Sequence, residues 1–481
     1  MTAVRFLVLT LAGLPLAGCG LYEAYQRPTL DVPASYTVPG ATDGASLGTP
    51  FGTSFGTAPW RSVYTDPELQ RLIDEALSNG PDGLLAAAQE REAAAAAGVT
   101  RAQQLPSVGL SLTTTPVQRQ PNATLTSSFL GGVSASWEID LWGRYAHATD
   151  AARADWLAAT ENRHGVSVSL VANVASLYYR LAALRASERV IEEVAETQRE
   201  GLRLIHQTAA AGINTAAEER QQESALAATE ANAPPLKQQI VEVQTALAVL
   251  LGRPPGSFTV PDRAELVAPA AVPAGLPSDL LLRRPDVRIA EARLKAAHAR
   301  VLVARAQFFP DISLTGIFGT VSTHLGDALG GSGAKVASLG PNLLLPLYAG
   351  GALRANRDVA LARVDEAVIG YRRVVNNALG DTANALSAYQ TSAELVAIEA
   401  RRVNAAREAL RLAELRFRAG VTGFLELLDA QRQVLASETD AIQAELTHRQ
   451  ALIGLYLALG GGWEDGVYAP PAPPTAPAAA N

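Results

Sequence analysis

The sequence predicts a mixed α and β fold made of two tandem copies of one unit, each joining a pair of membrane-length strands to very long coiled-coil helices. Three observations carry this. The first is self-similarity: Asn79-Gly80-Pro81-Asp82 answers Arg283-Arg284-Pro285-Asp286, and Gln104-Leu105-Pro106 answers Phe308-Phe309-Pro310, with both proline pairs 204 apart (285−81, 310−106). Asp140-Leu141-Trp142 then answers Pro346-Leu347-Tyr348 at 206 (346−140), and Ala211-Gly212-Ile213 answers Ala419-Gly420-Val421 at 208 (420−212). A fixed period of this kind marks a repeated supersecondary unit. The second observation is a change of hydrophobic period from 3.6 to 2 after Pro106 and again after Pro310. The third is that no proline occurs between Gly143 and Pro234, or between Gly351 and Pro470.

From the N-terminus, Arg5, an apolar run from Phe6 to Leu16, and Leu16-Ala17-Gly18-Cys19 have the shape of a signal peptide (1–18) ending at a lipidated cysteine. The run is about half the roughly 20 residues a spanning helix needs. Cys19 is the only cysteine, so a disulfide within the chain is impossible and acylation explains the thiol better than nucleophilic chemistry does. Gly20 and Leu21 follow without an acidic residue, which favours outer-membrane lipid as the anchor's destination. Residues 19–62 are rich in Gly, Pro, Thr and Ser and read as an extended arm.

The first copy spans 63–251. Asp66-Pro67 opens a short helix, and Pro81 opens a second whose Ala, Glu, Gln, Arg and Leu are strong helix formers up to Pro106. Over 108–138, Val108, Leu110 and Leu112 alternate with Gly109, Ser111 and Thr113, and then Phe129, Gly131, Val133, Ala135 and Trp137 alternate with Ser, Gly and Leu. This is a hairpin whose strands of about ten residues match a tilted membrane crossing. The proline-free stretch from Gly143 to Gly212 would be roughly 100 Å long as one helix. Leu170, Leu177, Leu184 and Ile191 recur by seven along it, as do Val396, Val403, Leu410 and Phe417 in the second copy. Such heptads wrap helices about one another. Six prolines mark 252–284 as a linker. The second copy, 285–462, repeats the plan with a strand pair at 311–348 around a Gly-rich loop from Gly326 to Gly333. The tail 463–481 is of low complexity.

Four strands are too few to close a barrel, and an open edge facing lipid would leave amides unpaired at several kcal/mol each, so the chain must oligomerise. Three copies supply twelve strands (3 × 4), within the range of closed bacterial barrels. A net charge of −7 without any basic cluster argues against nucleic acid. Gly326 to Lys335 is not a phosphate loop, because Ala334 precedes Lys335 and the segment joins strand to strand. The six histidines, His147, His164, His206, His298, His324 and His448, include no pair three or four apart, so no metal site is expected. No nucleophile elbow or acid/base set converges, so neither an enzyme nor a cofactor is expected. Trp142 and Tyr348, equivalent in the two copies, mark either the inner rim of the barrel or packing at the strand-helix junction.

Trp137-Glu138-Ile139-Asp140-Leu141-Trp142-Gly143-Arg144, Pro273-Ala274-Gly275-Leu276-Pro277 with Arg283-Arg284-Pro285-Asp286, Ala306-Gln307-Phe308-Phe309-Pro310, and Arg418-Ala419-Gly420-Val421 leading to Leu427-Leu428-Asp429-Ala430-Gln431 carry a resemblance. The chain resembles the TolC-like outer-membrane efflux channels, and within them the lipoprotein branch that includes OprM and the nodulation-type exporters. The resemblance implies a homotrimer with a twelve-strand barrel in the outer membrane and an α-helical tunnel in the periplasm. It also implies docking to a periplasmic membrane-fusion adaptor and an inner-membrane pump of the RND type. It places adaptor contact at the hairpin turns around Gly212 and Ile213 and around Gly420 and Val421. It places a periplasmic gate at Arg416, Phe417, Leu425, Glu426 and Asp429, where acids repeated by symmetry would favour cations and Phe417 and Leu425 would narrow the tunnel. Thr422 stands where relatives often carry a charge, and Gln221 stands where the second copy has Asp429, which lightens the tether network. The implied function is passive export of small toxic compounds. A duct for polypeptide secretion and a non-conducting coiled-coil scaffold are the alternatives.

Overall fold

The computed structural model describes residues 25–29, 59–117, 126–210, 215–256, 259–260 and 283–461. The signal peptide, Cys19, most of the arm and linker, Gly212 with Ile213, and the tail lie outside the described residues. The elements run α1 (Trp60–Val63), α2 (Pro67–Asn79), α3 (Pro81–Ala102), β1 (Ser107–Val117), β2 (Thr126–Glu138), α4 (Arg144–Ala210), α5 (Ala216–Glu230) and α6 (Ala233–Leu250). The second copy continues with α7 (Pro285–Ala306), β3 (Asp311–Ser322), α8 (Leu325–Gly330), β4 (Ala334–Leu344), α9 (Ala352–Arg418) and α10 (Phe424–Ala458). Helices α4 and α9 are each 67 residues long.

Packing divides the chain differently from the repeats, because each of its two compact units draws on both copies. The unit holding Gln89–Glu161 and Arg288–Val374 contains the sheet, and the unit holding Asn162–Val287 and Val375–Asn481 contains the main core. In the first, four antiparallel strands lie in the order β1-β2-β3-β4. The register sets Leu110 opposite Val133, Val133 opposite Phe318, and Phe318 opposite Ala337. One face therefore gathers exposed Val108, Leu110, Leu112, Val133, Phe318 and Leu339. The other carries Ser111, Ser134, Thr315, Ser338 and Asn342, the alternation of a barrel wall with lipid outside and water within. Gly132 and Gly319 are paired partners on this second face. An added Cβ at Gly132 would lie 2.6 Å from the Gly319 Cα, so the two strands approach this closely only because both positions are glycine.

The Gly-rich stretch after β3 is not loop throughout: its first half forms α8, which packs on β2 and β3 with the Thr320 hydroxyl donating to the Ala328 carbonyl at 2.6 Å. Strand β4 also stops at Leu344, short of the expected end at 348, because Pro346 cannot donate to the ladder. The second strands begin 208 apart (334−126), and the long helices do too (352−144). The expected equivalence of Trp142 and Tyr348 is thereby corrected, since 142 + 208 makes Gly350 the counterpart of Trp142.

In the other unit, Asp66 caps α2 by accepting from the backbone of Glu68 and Leu69. Its second oxygen accepts from the Tyr178 hydroxyl at 2.6 Å. Burial first, and this hydrogen bond to a carboxylate second, push the Tyr178 hydroxyl far above its ordinary value. Around this cap Leu69, Leu72 and Ile73 pack with Leu181, Leu247 and Leu455 in one apolar cluster. Helix α4 is long and apolar enough to cross a membrane, but its most apolar window is 61% buried, so that face is spent on the core. Leu181 is fully buried, and Leu181→Ala should destabilise this unit by about 2–5 kcal/mol. The change would be read as an earlier loss of α-helical circular dichroism in a denaturant titration.

Candidate functional site

The hairpin joining α9 to α10 holds every gate residue the sequence singles out. Helix α9 ends in a Schellman motif, in which the Val421 amide donates to the Arg416 carbonyl at 2.9 Å and the Gly420 amide to Phe417 at 3.0 Å. The motif needs a left-handed residue, and Gly420 has φ +66°. Gly423 then caps α10. This sharp turn leaves Val421 and Leu425 exposed, with 68% and 64% of their surface accessible.

Arg416 Nη1 donates to Glu426 Oε1 at 2.9 Å and ties the end of α9 to the first turn of α10. Both side chains are about half exposed, so each such pair is worth about 0.2–1 kcal/mol. Leu425, Glu426 and Asp429 are all exposed on α10. Phe417 is not with them. Its ring meets Phe424 edge-on, with centroids 5.9 Å apart, and packs against buried Ile205, Ala225 and Leu428. The expectation that Phe417 and Leu425 share one constricting face is corrected, because the turn directs Phe417 into the hairpin core and Leu425 away from it.

Of the first turn, Gly212 and Ile213 lie outside the described residues. Beyond them α5 opens with a capping box, in which Thr215 and Glu218 each accept from the other's backbone amide. Gln221 is exposed, and its neighbour Gln222 is buried and donates to the Gln198 carbonyl at 2.8 Å. Between the two hairpins runs a cleft of about 610 Å³ lined by residues of α4, α5, α9 and α10, among them Gln222, Phe417, Thr422, Phe424 and Gln431. Sequence reading missed Phe424 and Gln222 and gave Gln431 no role beyond its motif, since nothing in the heptad pattern distinguishes them from their neighbours.

At the strand-helix junction of the first copy, Trp142 stacks on Phe309 at 4.8 Å and its indole N–H donates to the Pro310 carbonyl at 2.8 Å. Arg144 bridges Asp311 at 3.0 Å and Glu138 at 3.3 Å. Tyr348 is 90% exposed. These contacts staple the end of β2 to the start of β3, and the corresponding end of β4 has no such staple among the described residues.

The model of the outer membrane efflux protein family matches residues 72–253 and 276–461, two segments that cover most of the chain. The chain belongs to the outer membrane efflux protein family. Among curated members of that family, it is 33% identical over 479 residues to the pyoverdine export outer membrane protein OpmQ of Pseudomonas aeruginosa, covering 96% of this chain and 98% of that one. It is 32% identical to the solvent efflux pump outer membrane protein SrpC of Pseudomonas putida, over 94% of this chain and 97% of that one. The structure of the open state of the Neisseria gonorrhoeae MtrE outer membrane channel matches with a TM-score of 0.82 at 30% identity, covering 92% of this chain and 98% of that one. As a member of the outer membrane efflux protein family, the chain is an outer-membrane efflux channel, with the helical body and four-strand sheet expected from its sequence.

Proposed function

We propose that three copies of this chain close a twelve-strand barrel in the outer membrane and continue it as a periplasmic α-helical tunnel. A membrane-fusion adaptor and an RND-type inner-membrane pump feed the tunnel, which passes small toxic compounds outward. The observation that carries this reading is the open sheet. Strands β1 and β4 each pair on one side only, and the sheet's exposed face is apolar. Edges of this kind in lipid demand partners, and four strands cannot enclose a lumen. Pyoverdine and solvents, the cargoes named for OpmQ and SrpC, are chemically unlike, which supports a passive conduit whose selection rests with the pump. The mass of the native particle in mild detergent tests the assembly: three chains are expected, and a stable monomer overturns the barrel.

On this reading the second hairpin forms the periplasmic gate, with Arg416 and Glu426 as its latch and Leu425 and Asp429 facing the pore. The turns at Gly212 and Ile213 and at Gly420 and Val421 meet the adaptor, while Trp142 and Tyr348 sit at the barrel's inner rim. The chain divides into a lipidated arm (19–62), repeats at 63–251 and 285–462, and a linker at 252–284, a division supported by the two separate family matches. Cys19 carries a diacylglyceryl group and begins the mature protein. Intact mass should show cleavage before Cys19 with added acyl chains, and cleavage elsewhere without them refutes the anchor.

A further inference from the structure

The cleft between the two hairpins contains hydrogen-bond acceptors without a donor among the described residues. Gln222 and Gln431 line it and are 1% and 7% exposed, yet the side-chain oxygen of each has no donor among the described residues. The Thr422 hydroxyl lines the same cleft and is also buried without a partner. Buried polar atoms are nearly always paired, so three residues of one cavity lining whose oxygens lack a donor among the described residues mark a place suited to a guest that brings its own donors. Gln222 cannot turn away, because its amide nitrogen is committed to the Gln198 carbonyl and lies 3.3 Å from where a Cβ at Gly201 would stand.

The rest of the lining fixes the charge and shape of the guest. Glu200 and Glu414 line the cleft, as does Glu218, which is engaged with the Thr215 backbone; Arg418 is the one basic residue in the lining. The field in the cleft is therefore negative beside these buried oxygens. Phe417 and Phe424 supply an aromatic wall beside these acceptors. We infer that the cleft is a binding site for an amphipathic organic cation, whose ammonium donates to Gln222, Gln431 and Thr422 while its apolar body lies against Phe417 and Phe424. Four helices contribute to the lining, so a seated cation bridges the α4–α5 hairpin to the α9–α10 hairpin and resists their separation. This site lies inside one chain and is distinct from the exposed Asp429. The inference goes beyond the channel reading, since binding is measured on the purified protein without adaptor or pump.

Titration calorimetry on the full-length protein in detergent, with 4-phenylbutylammonium as the probe and 4-phenylbutanol and 4-phenylbutyrate as its neutral and anionic matches, tests the inference. Saturable binding of the cation at one site per chain is expected, with neither match binding saturably. Gln431→Leu should weaken it about tenfold or more, the loss expected for one charge-assisted hydrogen bond, and Glu414→Gln should weaken it by making the field in the cleft less negative. Gln431→Glu adds a carboxylate at the same place and should tighten it, so the inference does not depend on variants that weaken the fold. Equal uptake by all variants would be partition into the micelle, and loss in Asp429→Asn but not in Glu414→Gln would move the site to the pore face. Either outcome, or no saturable binding, overturns the inference.

Discussion

Arg416→Ala is expected to raise the resting conductance of the channel severalfold in planar bilayers. The ion pair to Glu426 is half exposed and weak by itself, at about 0.2–1 kcal/mol. In the proposed trimer threefold symmetry repeats it, so the proposed gate, opening as one body, loses roughly 0.6–3 kcal/mol, and its open population rises about threefold to a hundredfold. Leu425→Ala should act in the same direction by removing an exposed apolar side chain from the narrow end. Glu426→Gln with Asp429→Asn should chiefly lower the preference for cations, because rings of carboxylates set the local potential. Phe417→Ala should behave differently: it removes part of the hairpin core, costs about 3 kcal/mol of local stability, the low end for a Phe truncation because the ring is only partly buried, and exposes the turn to protease. Conductance and selectivity unchanged in the Arg416, Leu425 and acid variants would place the gate elsewhere.

The second large effect concerns how neighbouring chains join. Within the chain, β2 pairs with β3 so that Ser136 faces Thr315. The first strands of the two copies begin 204 apart (311−107) and the second strands 208 apart (334−126). Adding 208 to the first partner and subtracting 204 from the second turns Ser136 and Thr315 into Leu344 of one chain and Ser111 of the next. Antiparallel partners stand about 4.5–5.5 Å apart at Cα, within disulfide range. A Ser111→Cys, Leu344→Cys double variant should therefore oxidise to a covalent trimer on a denaturing gel, while Ser111→Cys with Asn342→Cys should not. Cross-linking in the second variant and not the first would refute the register.

The plan of the chain was legible because its punctuation is chemical. Pro106 and Pro310 stop helices, the period changes after each, and Gly420 can take the left-handed turn where few other residues can. The gate faces were less legible. Phe417 extends the series Val396, Val403 and Leu410, and of these Val403 is buried and the others are half-buried. The heptad that revealed the helix was thus already a packing signal for Phe417, and the functional reading borrowed from relatives overrode it. Phe424 and Leu425 are adjacent and equally apolar, so only the geometry of the turn decides which enters the core. The equivalence of Trp142 with Tyr348 failed for another reason. The connection after the first strand is 8 residues in the first copy and 11 in the second (126−117−1, 334−322−1), and the first strands themselves differ by one residue. Similar side chains two positions out of step then imitated a match. Helix α8 escaped notice because its glycines read as loop.

The β2–β3 ladder joins residues 175 to 193 positions apart (313−138, 322−129), whereas no partners in the β1–β2 hairpin are more than 29 apart (136−107). Local hairpins close early, and pairings at long sequence separation wait until loop-closure entropy has been overcome. The sheet of one chain is thus completed only after its second copy has emerged, and in the proposed trimer the joining of neighbouring chains comes later still, at a rate that depends on concentration. Until then β2 has an unpaired side, an aggregation-prone edge that the half-exported chain must keep shielded on its way to the membrane.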